Sequence, residues 1–170
     1  MMRFATVAAL SFGLLAVSTE GTSYADPPAC HNPGHVFRVQ AEWDNFLPPN
    51  QCGLQSELLV QSTQADVGVI QVIYVTFDAC DGSAFKFIQA SGSADVSGNI
   101  EKVAVNGSVP TSDGRTIDLN LNFRKTHDSS THDGSDRTVS ATAKGTVILD
   151  GVDLTGGASS TTGSISRSVC

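Results

Sequence analysis

Residues 126–136 read Thr-His-Asp-Ser-Ser-Thr-His-Asp-Gly-Ser-Asp, with Thr-His-Asp doubled at 126–128 and 131–133. His127, His132 and Asp133, with Asp128 and Asp136 beside them, could offer nitrogen and oxygen ligands to a divalent metal. Imidazole suits zinc, copper or nickel. The spacing matches no defined site, however. The same residues also suit a polar hairpin loop in which Asp and Ser side chains bond their own backbone, and this plainer reading takes precedence. Asp150-Gly151-Val152-Asp153 brings oxygens together, but no segment has the twelve-residue calcium loop with its closing Glu. Turn chemistry accounts for those residues.

Other chemistry is sparse. His31 and His35 flank Asn32-Pro33-Gly34 and read as loop histidines. There is no Gly-x-Ser-x-Gly elbow, no His-Glu-x-x-His and no phosphate-binding loop. Glu42 and Glu57 read as solvated strand carboxylates, and Asn106-Gly107-Ser108 as a chance match to the N-glycosylation pattern. The expectation is therefore no catalytic residue and no cofactor, with a divalent metal at the 126–136 loop as the alternative.

The four cysteines are Cys30, Cys52, Cys80 and Cys170. No Cys-x-x-Cys pair exists, and zinc sites generally use close pairs. An even count in an exported chain points to two disulfides. Three pairings are open. Cys52–Cys80 is favoured because Cys52 precedes one strand candidate and Cys80 ends the next. Cys30–Cys170 is favoured because domain termini often lie close together. Export itself is read from residues 1–25. Met1-Met2-Arg3 gives a positive start, Phe4 to Val17 is an apolar run, and Ser23-Tyr24-Ala25 places small residues at the −3 and −1 positions of a cleavage site. That is a signal-peptide layout, with an apolar run too short for the about 20 residues that a membrane-spanning helix needs.

The elements that must carry these residues are strands. Residues 26–170 form one expected domain in which apolar and polar residues alternate between turn signals. Phe37, Val39, Ala41 and Trp43 share one face of a strand; Ile117, Leu119, Leu121 and Phe123 share one face of another. Val69–Phe77 is almost wholly apolar, which predicts a central strand buried on both faces. Asp81-Gly82, Asp113-Gly114, Asp133-Gly134 and Asp150-Gly151 each sit between strand-like runs, and Asp-Gly suits tight hairpins that need positive φ. The fold expected is all-β, an antiparallel two-sheet sandwich of about eight strands, with a small β-barrel as the alternative.

The chain carries 10 Lys and Arg against 17 Asp and Glu, a net charge of −7. With no basic cluster, nucleic acid and anionic membrane surfaces are excluded as expected partners. No second apolar segment is long enough for a membrane span. Cys52 before the Glu57–Val60 strand, the Tyr74–Cys80-Asp81-Gly82 hairpin, and the Ser140–Gly145 and Asp150–Leu154 segments together resemble secreted bacterial β-rich proteins to which no activity is assigned. That resemblance implies a fold and a compartment. The functional expectation is a secreted or periplasmic disulfide-bonded binding or structural module, with a protein or glycan partner. The alternatives are a metal-binding protein using the 126–136 loop, or an envelope enzyme.

Overall fold

The computed structural model describes the backbone of residues 35–48, 51–63, 67–83, 85–133 and 136–169, and of these the side chains outside 35–36, 128–133, 136 and 168–169. The expected leader at residues 1–25, His31 and the expected Cys30–Cys170 pairing lie outside the described residues. The described residues contain ten strands and no helix: β1 (His35–Asn45), β2 (Leu54–Ser62), β3 (Val69–Asp78), β4 (Lys86–Ser93), β5 (Asp95–Asn99), β6 (Lys102–Pro110), β7 (Thr116–Asp133), β8 (Asp136–Leu149), β9 (Val152–Asp153) and β10 (Thr162–Val169).

All pairings are antiparallel, and the order is β4-β3-β2-β1-β10-β8-β7-β6-β5, with β9 added to β8. Every connection but one is a hairpin or a direct continuation; the exception is the return of the last strand, β10, to lie between β1 and β8. The all-β antiparallel architecture is therefore as expected, with ten strands where about eight were foreseen. The two layers expected of a sandwich are opposite parts of one sheet rather than two separate sheets.

Alternation explains the curvature. Val39, Ala41 and Trp43 of β1, Leu58 and Val60 of β2, and Ile117, Leu119, Leu121 and Phe123 of β7 are all buried in one cluster with Val139 and Ile165. A sheet with one apolar face and no helix to cover it can bury that face only by rolling onto itself. Each large side chain so buried contributes about 1.5–3 kcal/mol. The rolled sheet is not closed into a barrel. Its margins approach where Ala90 of β4 bridges Thr111, just past β6, and Ser112 N donates to Gln89 O (3.0 Å).

The turns follow their residues. Asp150 and Gly151 both have positive φ (52° and 79°), the type I′ geometry of a two-residue hairpin. At Asp113-Gly114 only the glycine is left-handed (φ 85°), and the turn is closed by Thr111 N to Arg115 O (2.9 Å) and Gly114 N to Thr111 O (3.1 Å). Gly145 lies at a different kind of position, inside β8. Its φ is 133°, and a Cβ there would sit 1.9 Å from the Asn120 carbonyl oxygen, so only glycine lets β8 bend against β7.

Two expectations need correction. Strand β3 is not buried on both faces. Ile70 and Val72 point into the core, while Ile73, Val75 and Phe77 face outward and are only half-buried, because among the described residues no second layer lies outside the rolled sheet. The 126–136 segment is not a free loop either. Its backbone continues β7 to Asp133 and restarts as β8 at Asp136, with register shifts between Lys125 and His127 and between His127 and Thr131.

Candidate functional site

Strand β8 pairs with β10 only over Arg137–Ser140. Strand β10 begins at Thr162, opposite Glu42, so beyond that point the sheet has a gap between β1 and β8. The 154–161 connection fills it from the β8 side. Leu154 N donates to Val147 O (2.8 Å) and Ser160 N to Ala143 O (3.0 Å), and Ser160 Oγ accepts from Ala143 N (2.7 Å). Asp153 Oδ1 accepts from Thr155 N (3.0 Å) and Thr155 Oγ1 (2.9 Å), and more distantly from Val147 N (3.3 Å). These bonds satisfy β8 amides that would otherwise be orphaned. They also give the connection a fixed shape, with Gly156 and Gly157 in left-handed conformations (φ 62° and 74°).

A cavity of about 430 Å³ remains between this connection and the end of β1. Its walls include Trp43, Asp44 and Asn45 of β1, Ser56 of β2, Tyr74 of β3, and Asp153, Thr155 and Thr161. Trp43 and Tyr74 lie on the core face in one row, each paired with Leu58. The Trp43 indole is fixed, donating Nε1–H to Ala158 O at 3.1 Å. Thr161 Oγ1 lies 3.0 Å from Glu42 O and 3.2 Å from Asp44 Oδ2, so its single proton is shared between them. Asp44 Oδ1 is buried and has no hydrogen-bond partner. A carboxylate oxygen withdrawn from water costs free energy until a donor reaches it. The lining thus joins two aromatic side chains, Asp44 and several hydroxyls. This set binds by stacking and hydrogen bonding.

The turn that launches the 154–161 connection is clamped from its neighbour. Arg115 donates through Nη1 to Asp150 Oδ2 (2.7 Å), through Nε to Asp113 (3.0 and 3.1 Å), and through Nη2 to Asp113 Oδ2. Hydrogen bonds from Arg115, and then from the Thr111 hydroxyl, hold the Asp113 carboxyl well below the usual carboxylate range. Its hydrogen bonds to Asp113, and then to Asp150, push the Arg115 guanidinium upward. At the β3–β4 turn, the Ser83 side-chain and backbone hydrogen bonds lower Asp81.

The residues singled out from the sequence lie elsewhere. His127 is exposed on β7, opposite Ser140, in a shallow depression with Glu101 and Lys125. The His132 and Asp133 backbones pair with Arg137 and Asp136, and their side chains lie outside the described residues. Among the described residues, no group of three His, Cys, Asp or Glu side chains is placed to hold a metal. Cys52 and Cys80 form the expected disulfide, with Cα atoms 5.1 Å apart. Sequence reading missed the cavity, whose walls come from positions up to 118 residues apart, from Trp43 to Thr161. The signals that could have pointed to it were the single tryptophan and the Gly156-Gly157 pair after an Asp-Gly turn. Compared with known protein families, with curated proteins and with solved structures, the chain shows no match.

Proposed function

We propose that this chain is an exported binding module that holds its ligand in the cavity beside Trp43. The observation that carries the reading is the cavity itself, in which Trp43 and Tyr74, from one row of the core face, meet Asp44, Thr155 and Thr161. Its volume falls in the range of about 300–1,000 Å³ typical of ligand sites. The ligand class that fits presents a flat apolar face to the aromatics and a cationic or strongly donating group to Asp44, as a sugar face or a basic peptide side chain does. Export is supported by the leader pattern of residues 1–25 and agrees with the Cys52–Cys80 disulfide.

Trp43 is the only tryptophan, so intrinsic fluorescence reports on the cavity wall directly. Glycan and basic-peptide arrays provide the candidates, and each hit is titrated against fluorescence. Hits are expected to shift Trp43 emission and to lose affinity by about tenfold in Asp44→Asn, which removes the charge but not the shape. Hits that bind the Asp44→Asn protein equally well, with Trp43 emission unmoved, would place the binding site elsewhere and defeat the proposal.

A further inference from the structure

A second site lies at the opposite end of the strands, away from the cavity. Arg167 of β10 and Arg137 of β8 are directly opposed in the ladder, and Phe37 of β1 is opposed to Arg167 on its other side. The alternation that buries Val39, Val139 and Ile165 two residues away puts Phe37, Arg137 and Arg167 on the same inward face. Directly opposed side chains have Cβ atoms about 4.5–5.5 Å apart, and like charges in that relation repel. Among the described residues no carboxylate forms an ion pair with either guanidinium; the ion pairs are those of Arg115 and Lys125. The Nε atoms of Arg137 and of Arg167 are both buried without a hydrogen-bond acceptor.

Either fact alone is explained by an arginine stem covering the end of the core with its head in water. Taken together, they set two unsatisfied donors and two like charges side by side, and one anionic acceptor between them would answer both. We infer that Arg137 and Arg167 form a two-armed clamp for a single oxyanion, a phosphate or carboxylate group, with Phe37 closing one side. Guanidinium forks match such groups in a bidentate way that an ammonium cannot. The clamp does not depend on the ligand proposed for the Trp43 cavity.

The test uses the full exported chain with inorganic phosphate and with acetate, each titrated calorimetrically at constant ionic strength. The wild type is expected to take up one equivalent of at least one probe, and the preferred probe identifies the ligand class. Arg137→Gln and Arg167→Gln should each weaken that binding by about tenfold or more. Arg137→Lys, which keeps the charge and the fold, should weaken it by a smaller factor. Arg124→Gln, on the outer face of β7, should leave it unchanged. In chloride alone at low ionic strength, Arg137→Gln should melt no lower than wild type, because it relieves repulsion. Absence of saturable binding of both probes by the wild type overturns the inference. So does an equal loss in Arg124→Gln, or a lower melting temperature for Arg137→Gln in chloride.

Discussion

Replacing both members of the Cys52–Cys80 pair with serine should destabilise the protein without altering its folded form. Both residues are exposed, so no core packing is lost. Strands β2 and β3 already pair up to Leu54 and Asp78 beside the bond, and Ala79 N donates to Gly53 O at 2.9 Å. The native geometry is thus held by neighbours, and the effect falls on the unfolded chain. The two cysteines are 28 residues apart, and closing a loop of that size removes unfolded-state entropy worth about 3.5 kcal/mol at 25 °C. A unit spanning residues 32–170 has an unfolding entropy near 290 cal/mol/K, estimated from about 2.1 cal/mol/K per residue, so each kcal/mol corresponds to about 3.4 °C. The expected fall in Tm is about 12 °C. Urea denaturation should give the same free-energy loss together with a larger slope, because the uncrosslinked chain exposes more surface when unfolded. A loss below about 1 kcal/mol with an unchanged slope would show that the crosslink does not restrain the unfolded chain, and would refute the argument.

Two further outcomes are expected. Gly145→Ala should destabilise by more than about 3 kcal/mol or prevent folding, since its Cβ has no space against Asn120 O, whereas Gly114→Ala, in an open turn, should cost only about 1 kcal/mol; comparable losses in urea denaturation would contradict this. The Asp113 carboxyl is depressed below its ordinary value of 3.8, so the stability it contributes is present above that value and is lost as pH falls through the folded value. The stability gap between wild type and Asp113→Asn should therefore be full at about pH 6 and shrink below about pH 4; a gap that widens in acid would reverse the sign of the argument.

Much of the fold was legible because alternation is a local signal. Ile117, Leu119, Leu121 and Phe123 announced β7, and Asp150-Gly151 announced a tight hairpin, from neighbouring residues alone. What was not legible depends on distant chain. An apolar run such as Val69–Phe77 says that side chains avoid water, but not whether a second layer exists to cover the outer ones. The doubled Thr-His-Asp looked like a loop by composition, yet Arg137–Ser140 supplies a partner strand that extends the ladder past it. The Trp43 cavity exists because β10 starts at Thr162, opposite Glu42, and not a few residues earlier. That offset is set by strand register across more than a hundred residues, and no local pattern encodes it.

The meeting of β4 with the β6–β7 turn has a consequence for how this chain behaves in company. Asp95 pairs with Asn106, and Ala90 meets Thr111 in the same register, so the chain from β4 into β5 runs as one line beside β6. The approach is close: a Cβ on Gly92 would lie 2.9 Å from Pro110 Cδ, and one on Gly107 would lie 3.1 Å from Ala94. An open ten-stranded sheet would present two rows of unpaired amides, each a template for strand addition and aggregation. Here one margin shields the other. The stretch of β5 that remains is five residues long, begins at Asp95 and contains Gly98, which makes it a poor template. Bulky substitutions at Gly92 or Gly107 would part the margins, and the first symptom would be self-association of folded molecules rather than unfolding.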